Sequence, residues 1–214
     1  MRLVLFIMVA VFFVACNEKT VAFFDEPQPP GGKTVDHFSA LLQGDYVDKE
    51  QASILNINAT TITRYFDFDL RMHKDSLDED LVLKGDSLID ITSGEVFLIV
   101  RDSDYVKHHY RSETDTLFHI DRDHPVKKVK GHYFLNSSEG PGAWSVQKLS
   151  LHKGLLTLGS ITDSIDLEKL ITITGTASDT TPHHFSPTRK QFRKFVKEEG
   201  FSERDSFYRI SSPL

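Results

Sequence analysis

The stretch ILNINATTITRYFDFDLRM, residues 54–72, sets the fold. Apolar side chains stand at Ile54, Leu55, Ile57, Ile62, Phe66, Phe68 and Leu70, mostly separated by polar ones. A period of two is that of a strand with one face buried and one wet. The segments LVL, LIDI, EVFLIV, YVKHHY and DTLFHI that follow are equally short, and KGDS, TSGE, RDSD and RSET between them carry the Gly, Asp and Ser of tight turns. Connections of that length join antiparallel neighbours, because parallel strands need a crossover of a dozen or more residues. The expectation is a mainly β domain, an antiparallel meander closing into a barrel or stacking as two packed sheets.

Helical spacing is concentrated near the end of the chain. Ser186 and Pro187 read as a cap and first position, after which TRKQFRKFVKEEG places Phe192, Phe195 and Val196 on one side before Gly200. This C-terminal amphipathic helix is expected to lie on the sheet. Its other side carries Arg189, Lys190, Arg193, Lys194 and Lys197, a basic stripe suited to an acidic partner or to lipid headgroups. A second helix is expected from Ile165 to about Ile171, and FYRI as a last strand.

Two short segments echo one another. LQGDYV (42–47) and VKGHYF (129–134) both place Gly-x-Tyr at a strand start, so the β-rich domain over 41–214 reads either as one unit or as two similar halves, 41–125 and 126–214. The Gly44-x-Tyr46 opening after FSALL resembles the Gly-x-Trp opening of lipocalin-like barrels, with Tyr46 in the place of the tryptophan. That resemblance implies a cup able to carry an apolar small molecule or lipid.

The start of the chain points to an address. Arg2 is followed by thirteen uncharged residues, 3–15, too few to span a bilayer needing about 20. A cationic start, an apolar centre and small residues ahead of a cut site describe a signal peptide, residues 1–15. The lone cysteine, Cys16, follows Val14 and Ala15. This segment resembles a bacterial lipoprotein signal. The resemblance implies that Cys16 becomes the first mature residue and carries a diacylglycerol, with an acyl chain such as palmitate on its amino group, giving a membrane anchor in the cell envelope. Residues 16–40, with the Pro- and Gly-rich FFDEPQPPGGKT, are expected to form the lipidated cysteine and an extended tether. The GGKT within them is not a phosphate loop, since Pro27 stands where that motif needs glycine. One cysteine excludes an intramolecular disulfide.

Asp75-Ser76-Leu77, Asp86-Ser87-Leu88, Asp115-Thr116-Leu117, Asp163-Ser164-Ile165 and Asp179-Thr180-Thr181 are similar to the three-residue O-glycosylation site of exported Bacteroidota proteins. With the signal and the meander, the chain resembles the envelope lipoproteins of that phylum. The resemblance implies the outer membrane, on its periplasmic or its surface side, and no activity.

Charge narrows the partners. The chain carries 25 Lys and Arg against 31 Asp and Glu, and one of the basic residues, Arg2, lies in the signal. An acidic surface is repelled by phosphate backbones, which argues against nucleic acid.

Catalytic chemistry finds little footing. The pairs His108-His109 and His183-His184 lie at strand spacing, where neighbours face opposite ways and cannot chelate one ion. Asp67 and Asp69 share a strand face roughly 7 Å apart, the reach of an acid pair but also the look of a wet face. DSLDEDL lacks a calcium loop's ligand order, and Gly-x-Ser-x-Gly does not occur. The expectation is therefore a membrane-anchored envelope lipoprotein with a non-catalytic interaction or accessory domain, without cofactor or metal, whose partner is an envelope protein. The alternative is a carrier of an apolar ligand.

Overall fold

The computed structural model describes residues 22–48, 50–176 and 182–210. Along these the elements are β1 (Ala22–Phe24), β2 (Lys33–Val35), β3 (Gly44–Asp48), β4 (Ser53–Ile57), β5 (Thr61–His73), β6 (Leu81–Lys84), β7 (Ser87–Asp90), β8 (Val96–Leu98), β9 (Val100–Asp102) and β10 (Tyr105–Arg111). There follow β11 (Asp115–His119), β12 (Val126–Val129), β13 (His132–Gly140), β14 (Ala143–His152), β15 (Leu155–Ser160), α1 (Ser164–Thr174), β16 (His183–Phe185), α2 (Arg189–Lys197) and β17 (Glu203–Arg209).

The protein is mainly β and its sheets are antiparallel, with one parallel pair, β1 with β16. The large sheet runs β2-β12-β13-β14-β15-β17-β3-β4-β5, and β11 pairs with the first half of β5. It curls without closing into a barrel. Phe118 from β11 and Val126 from β12, at opposite ends of the strand order, meet in one buried cluster with Tyr46, Leu55, Leu135 and Leu156. The two halves of the chain thus share a core: β17 pairs with β3, and residues from both sides of position 125 fill the inner face.

Strand alternation sorts the second core. Tyr133 and Leu135 of β13 point inward, while Phe134 between them points outward to Phe24, Phe185, Phe192, Phe195 and Phe201. This outer layer seats both helices. Phe192 and Phe195 are 1% and 0% exposed, and burying each contributes about 2–3 kcal/mol.

The helix borders follow local hydrogen bonding. Thr188, two residues beyond the expected Ser186, caps α2: its Oγ1 accepts from the Gln191 amide, and the Gln191 side chain accepts from the Thr188 amide. Ser186 is occupied elsewhere, donating to Asp25. Glu198 ends the helix and Glu199 takes the left-handed conformation, φ 58°. Gly200 serves a different need, since a Cβ there would lie 2.4 Å from the Phe195 ring. Asp163 caps α1 and Gly175, at φ 72°, closes it, so β-branched ITIT is carried inside a helix with buried Leu167 and Leu170.

The tether expected up to residue 40 is corrected. Phe24 and Phe38 are both fully buried, and Gln28 sits against β13, donating its amide to Asn136 Oδ1 at 2.5 Å. Asn136 Nδ2 in turn donates to the carbonyls of Gln28 and Pro125. Pro and Gly end regular elements here, but the segment's phenylalanines and backbone groups find partners in the domain. From Ala22 onward it belongs to the fold.

β5 is long enough to serve two sheets. Its first half belongs to the curled sheet, whereas residues 67–73 pair with β10, which pairs with β9. Beside them stands a separate three-stranded sheet, β6-β7-β8. Leu88, Ile99 and Val106 are buried between the two, flanked by Met72, Leu83 and Phe97. The result is an arm with its own small core.

Candidate functional site

Cys16, the expected lipidation site, lies outside the described residues. The basic stripe lies within them. Arg189, Lys190, Arg193, Lys194 and Lys197 are all exposed on α2, opposite buried Phe192 and Phe195. Among the described residues, Lys194 alone of the five has a carboxylate within ion-pair distance, Glu198 at 3.8 Å. Four of the cations therefore project without a counter-charge among the described residues, from a chain of formal charge −6.

Of the five, Lys190, Arg193, Lys194 and Lys197 rim a groove of about 980 Å³ between α2 and the β12–β13 turn. Val129, Phe134, Phe192 and Val196 give it an apolar floor, Lys130 adds to the basic rim, and His132 and Glu198 complete the lining. Lys130, at φ 49°, and Gly131, at φ 84°, make the tight turn that brings Lys130 opposite α2. His132 Nδ1 lies 2.7 Å from Ser150 Oγ, and burial, followed by the charge of Lys148, lowers its pKa. Chemically the groove offers positive charge around an apolar strip.

A second groove, about 850 Å³, opens where β2 and β12 face the β11–β12 loop. Lys33, Asp36, His37, Asp121 and Lys128 bring both signs of charge to it, so it has no clear preference for an anion or a cation.

The arm presents a different surface. Cross-strand register aligns Val82 with Ile89 and Ile89 with Val96, a row across the outer face of the three-stranded sheet. Val96, Leu98 and Val100 are 60%, 77% and 68% exposed, while Phe97 and Ile99 between them turn inward. β8 and β9 each end their strand order among the described strands. An apolar row of this kind on a wet face marks a place where another surface packs.

The paired acids acquire a partner across the sheet. His109 of β10 lies 3.0 Å from Asp69 and 3.4 Å from Asp67 through its two ring nitrogens, and Arg111 lies 3.8 Å from Asp67. The His109 and Asp69 side chains are 62% and 77% exposed and that of Asp67 is 24%, so two of the three stand in solvent. His108 turns the other way, its ring 5.2 Å from that of Phe97, as neighbours on a strand must. His183 is buried and His184 exposed, for the same reason. Among the described residues no group of three or more His, Cys, Asp or Glu is arranged to hold a metal ion.

Two of the Asp-Ser/Thr triplets have structural uses, and Asp179-Thr180-Thr181 lies outside the described residues. Asp163 is the cap of α1, and Asp86-Ser87 follows Gly85, at φ 60°, in the β6–β7 turn.

The arm's apolar face escaped the sequence reading. Its signal was present in VFLIV, residues 96–100, an apolar run with no alternation. A strand with apolar residues of both parities needs cover on both faces, and β8 receives it on one.

No family model, curated protein or solved structure matches the chain. No described helix is long and apolar enough to cross a membrane.

Proposed function

We propose that this protein is an envelope lipoprotein, held at a membrane by a lipidated Cys16, whose β domain is a non-catalytic module that binds an envelope protein. The observation that carries this reading is the row Val82, Ile89 and Val96 with Leu98 and Val100 on the outer face of the arm. Val82, Val96, Leu98 and Val100 are exposed and Ile89 is half-buried, and none of them belongs to the arm's own core, as expected of a docking face. The test is a photo-crosslinking residue at Leu98 in cells, with Lys153 on the β14–β15 hairpin as control. The reading expects a discrete protein adduct at Leu98 that disappears in Val82→Lys or Val96→Lys. Labelling at Leu98 no different from that at Lys153 contradicts it.

A second reading, a carrier of an apolar or amphiphilic molecule, is favoured by the apolar-floored groove under α2. The inner face of the curled sheet is filled by Phe38, Tyr46, Leu55, Phe118 and Leu156, so cargo would sit in that groove. Native mass spectrometry of protein released from its own membranes separates the two: a reproducible excess of a few hundred daltons over the denatured mass, on the scale of a ligand filling a pocket, supports the carrier.

A further inference from the structure

We infer that the basic face of α2, together with Lys130, rests on the anionic headgroups of the membrane that holds the chain, fixing which side of the domain faces the bilayer. The inference rests on the reading of Cys16 as the anchor. It adds an orientation and a lipid chemistry to that reading.

Length sets the first constraint. Six residue steps separate Cys16 from Ala22, the first residue of β1, and such a segment spans at most about 20 Å. The side of the domain where β1 lies is therefore held close to the surface.

Position sets the second. β1 runs parallel to β16, with Ala22 opposite His183 and Phe24 opposite Phe185. β16 leads through Ser186 and Pro187 straight into α2. The Phe24 ring is 6.2 Å from that of Phe192, on the buried side of the helix. Anchor exit and basic helix are thus neighbours in the outer layer, on the face of the sheet turned away from the filled interior.

Charge sets the third. Arg189, Lys190, Arg193 and Lys197 have no carboxylate partner among the described residues, and Lys130 faces the last three across the groove. The chain as a whole is acidic and repelled by an anionic surface, whereas this basic face is drawn to it. Clusters of four or more Lys and Arg beside an anchor are what anionic lipid headgroups attract, and a lipid chain joined to a basic patch is the pairing that makes attachment stable. An acidic protein would be drawn to the same cations. The short distance to Cys16 favours the bilayer, since the headgroups are held against this face at high effective concentration.

The test uses the lipidated full-length product in nanodiscs of phosphatidylcholine alone, or of about three parts phosphatidylcholine to one part phosphatidylglycerol. Acetylation rates of individual lysines are read by mass spectrometry. The inference expects Lys130, Lys190, Lys194 and Lys197 to react roughly tenfold more slowly in the anionic discs, with protection lost at high salt and in a Lys190→Glu/Arg193→Glu/Lys197→Glu variant. Lys84 on the arm and Lys153 on the hairpin should react equally in both discs. Equal rates at the α2 lysines, or protection on another face, overturn it. Protection that is the same in neutral discs and accompanied by a co-purifying acidic protein overturns it in favour of a protein partner. The intact mass of the same sample reports separately whether Cys16 carries lipid, so failure of the anchor and failure of the orientation give different results.

Discussion

The guanidinium of Arg209, on the last strand, stands 5.0 Å from the centroid of the Tyr46 ring on β3. It also donates to the Tyr46 hydroxyl and to the carbonyls of Leu41 and Gln43. The Tyr46 hydroxyl donates in turn to Leu42. One cation thereby ties β17, the last strand in the chain, to its sheet neighbour β3 and to the segment 41–43 that leads into β3. Arg209→Ala should cost about 1–3 kcal/mol in chemical denaturation, and Arg209→Lys nearly as much, because an ammonium cannot make the fork of bonds.

The same pair sets an alkaline limit. Burial raises the Tyr46 pKa above its ordinary 10.0, with the charge and hydrogen bond of Arg209 opposing. A pKa raised in the folded state means that the stabilisation is whole below pH 10 and is lost as pH climbs through the folded value. Denaturation midpoints should fall from about pH 10 upward, and Tyr46→Phe, though less stable at neutral pH, should fall less steeply.

Asn136 should prove the central clamp of the N-terminal segment. It is fully buried and bonds Gln28 through both its amide groups. Asn136→Leu leaves the buried Gln28 amide and carbonyl unpaired, which costs about 2–4 kcal/mol. A chain starting at Ala22 should unfold at the temperature of the mature protein. One starting at Gly31 should be severely destabilised, since it lacks Phe24 and Gln28.

Gly200 should tolerate no side chain. A Cβ would meet three Phe195 ring atoms at 2.4 to 2.6 Å, and Phe195 is held by Phe192 and Phe201. Gly200→Ala should cost about 1–3 kcal/mol through displaced packing, and Gly200→Ala with Phe195→Leu should recover part of it.

The Asp90 turn of the arm gives an acid signature. Hydrogen bonds from the Thr92 hydroxyl, then the Ser93 and Thr92 amides, lower the Asp90 pKa to about 2. A depressed carboxyl contributes stability that is present above its ordinary 3.8 and lost as pH falls through the folded value. Carbon-detected NMR should show Asp90 titrating near 2, and Thr92→Val should move it upward.

Much of the fold was legible because its strands are short, alternating and joined by turn residues. Ile54 to Leu70 gave β4 and β5, and the Gly-x-Tyr echo marked two strands whose tyrosines, Tyr46 and Tyr133, both enter one core and reach the same segment, at Leu42 and Ser39. The α2 cations were legible from helical spacing. Three features were not. Pairing between β17 and β3 is long-range, and periodicity carries no information about which strands meet. Residues 22–40 looked like a tether because Pro and Gly dominate them, while their packing depends on Asn136, more than a hundred positions away. His109 between Asp67 and Asp69 depends on register, which set a histidine opposite Asp69.

The most direct test of the account is the denatured mass of the protein extracted from its own membranes. The account predicts a chain beginning at Cys16, heavier than residues 16–214 by a diacylglycerol and one acyl chain, with the excess confined to the N-terminal peptide. A chain that retains residues 1–15, or an N-terminal cysteine without lipid, contradicts it.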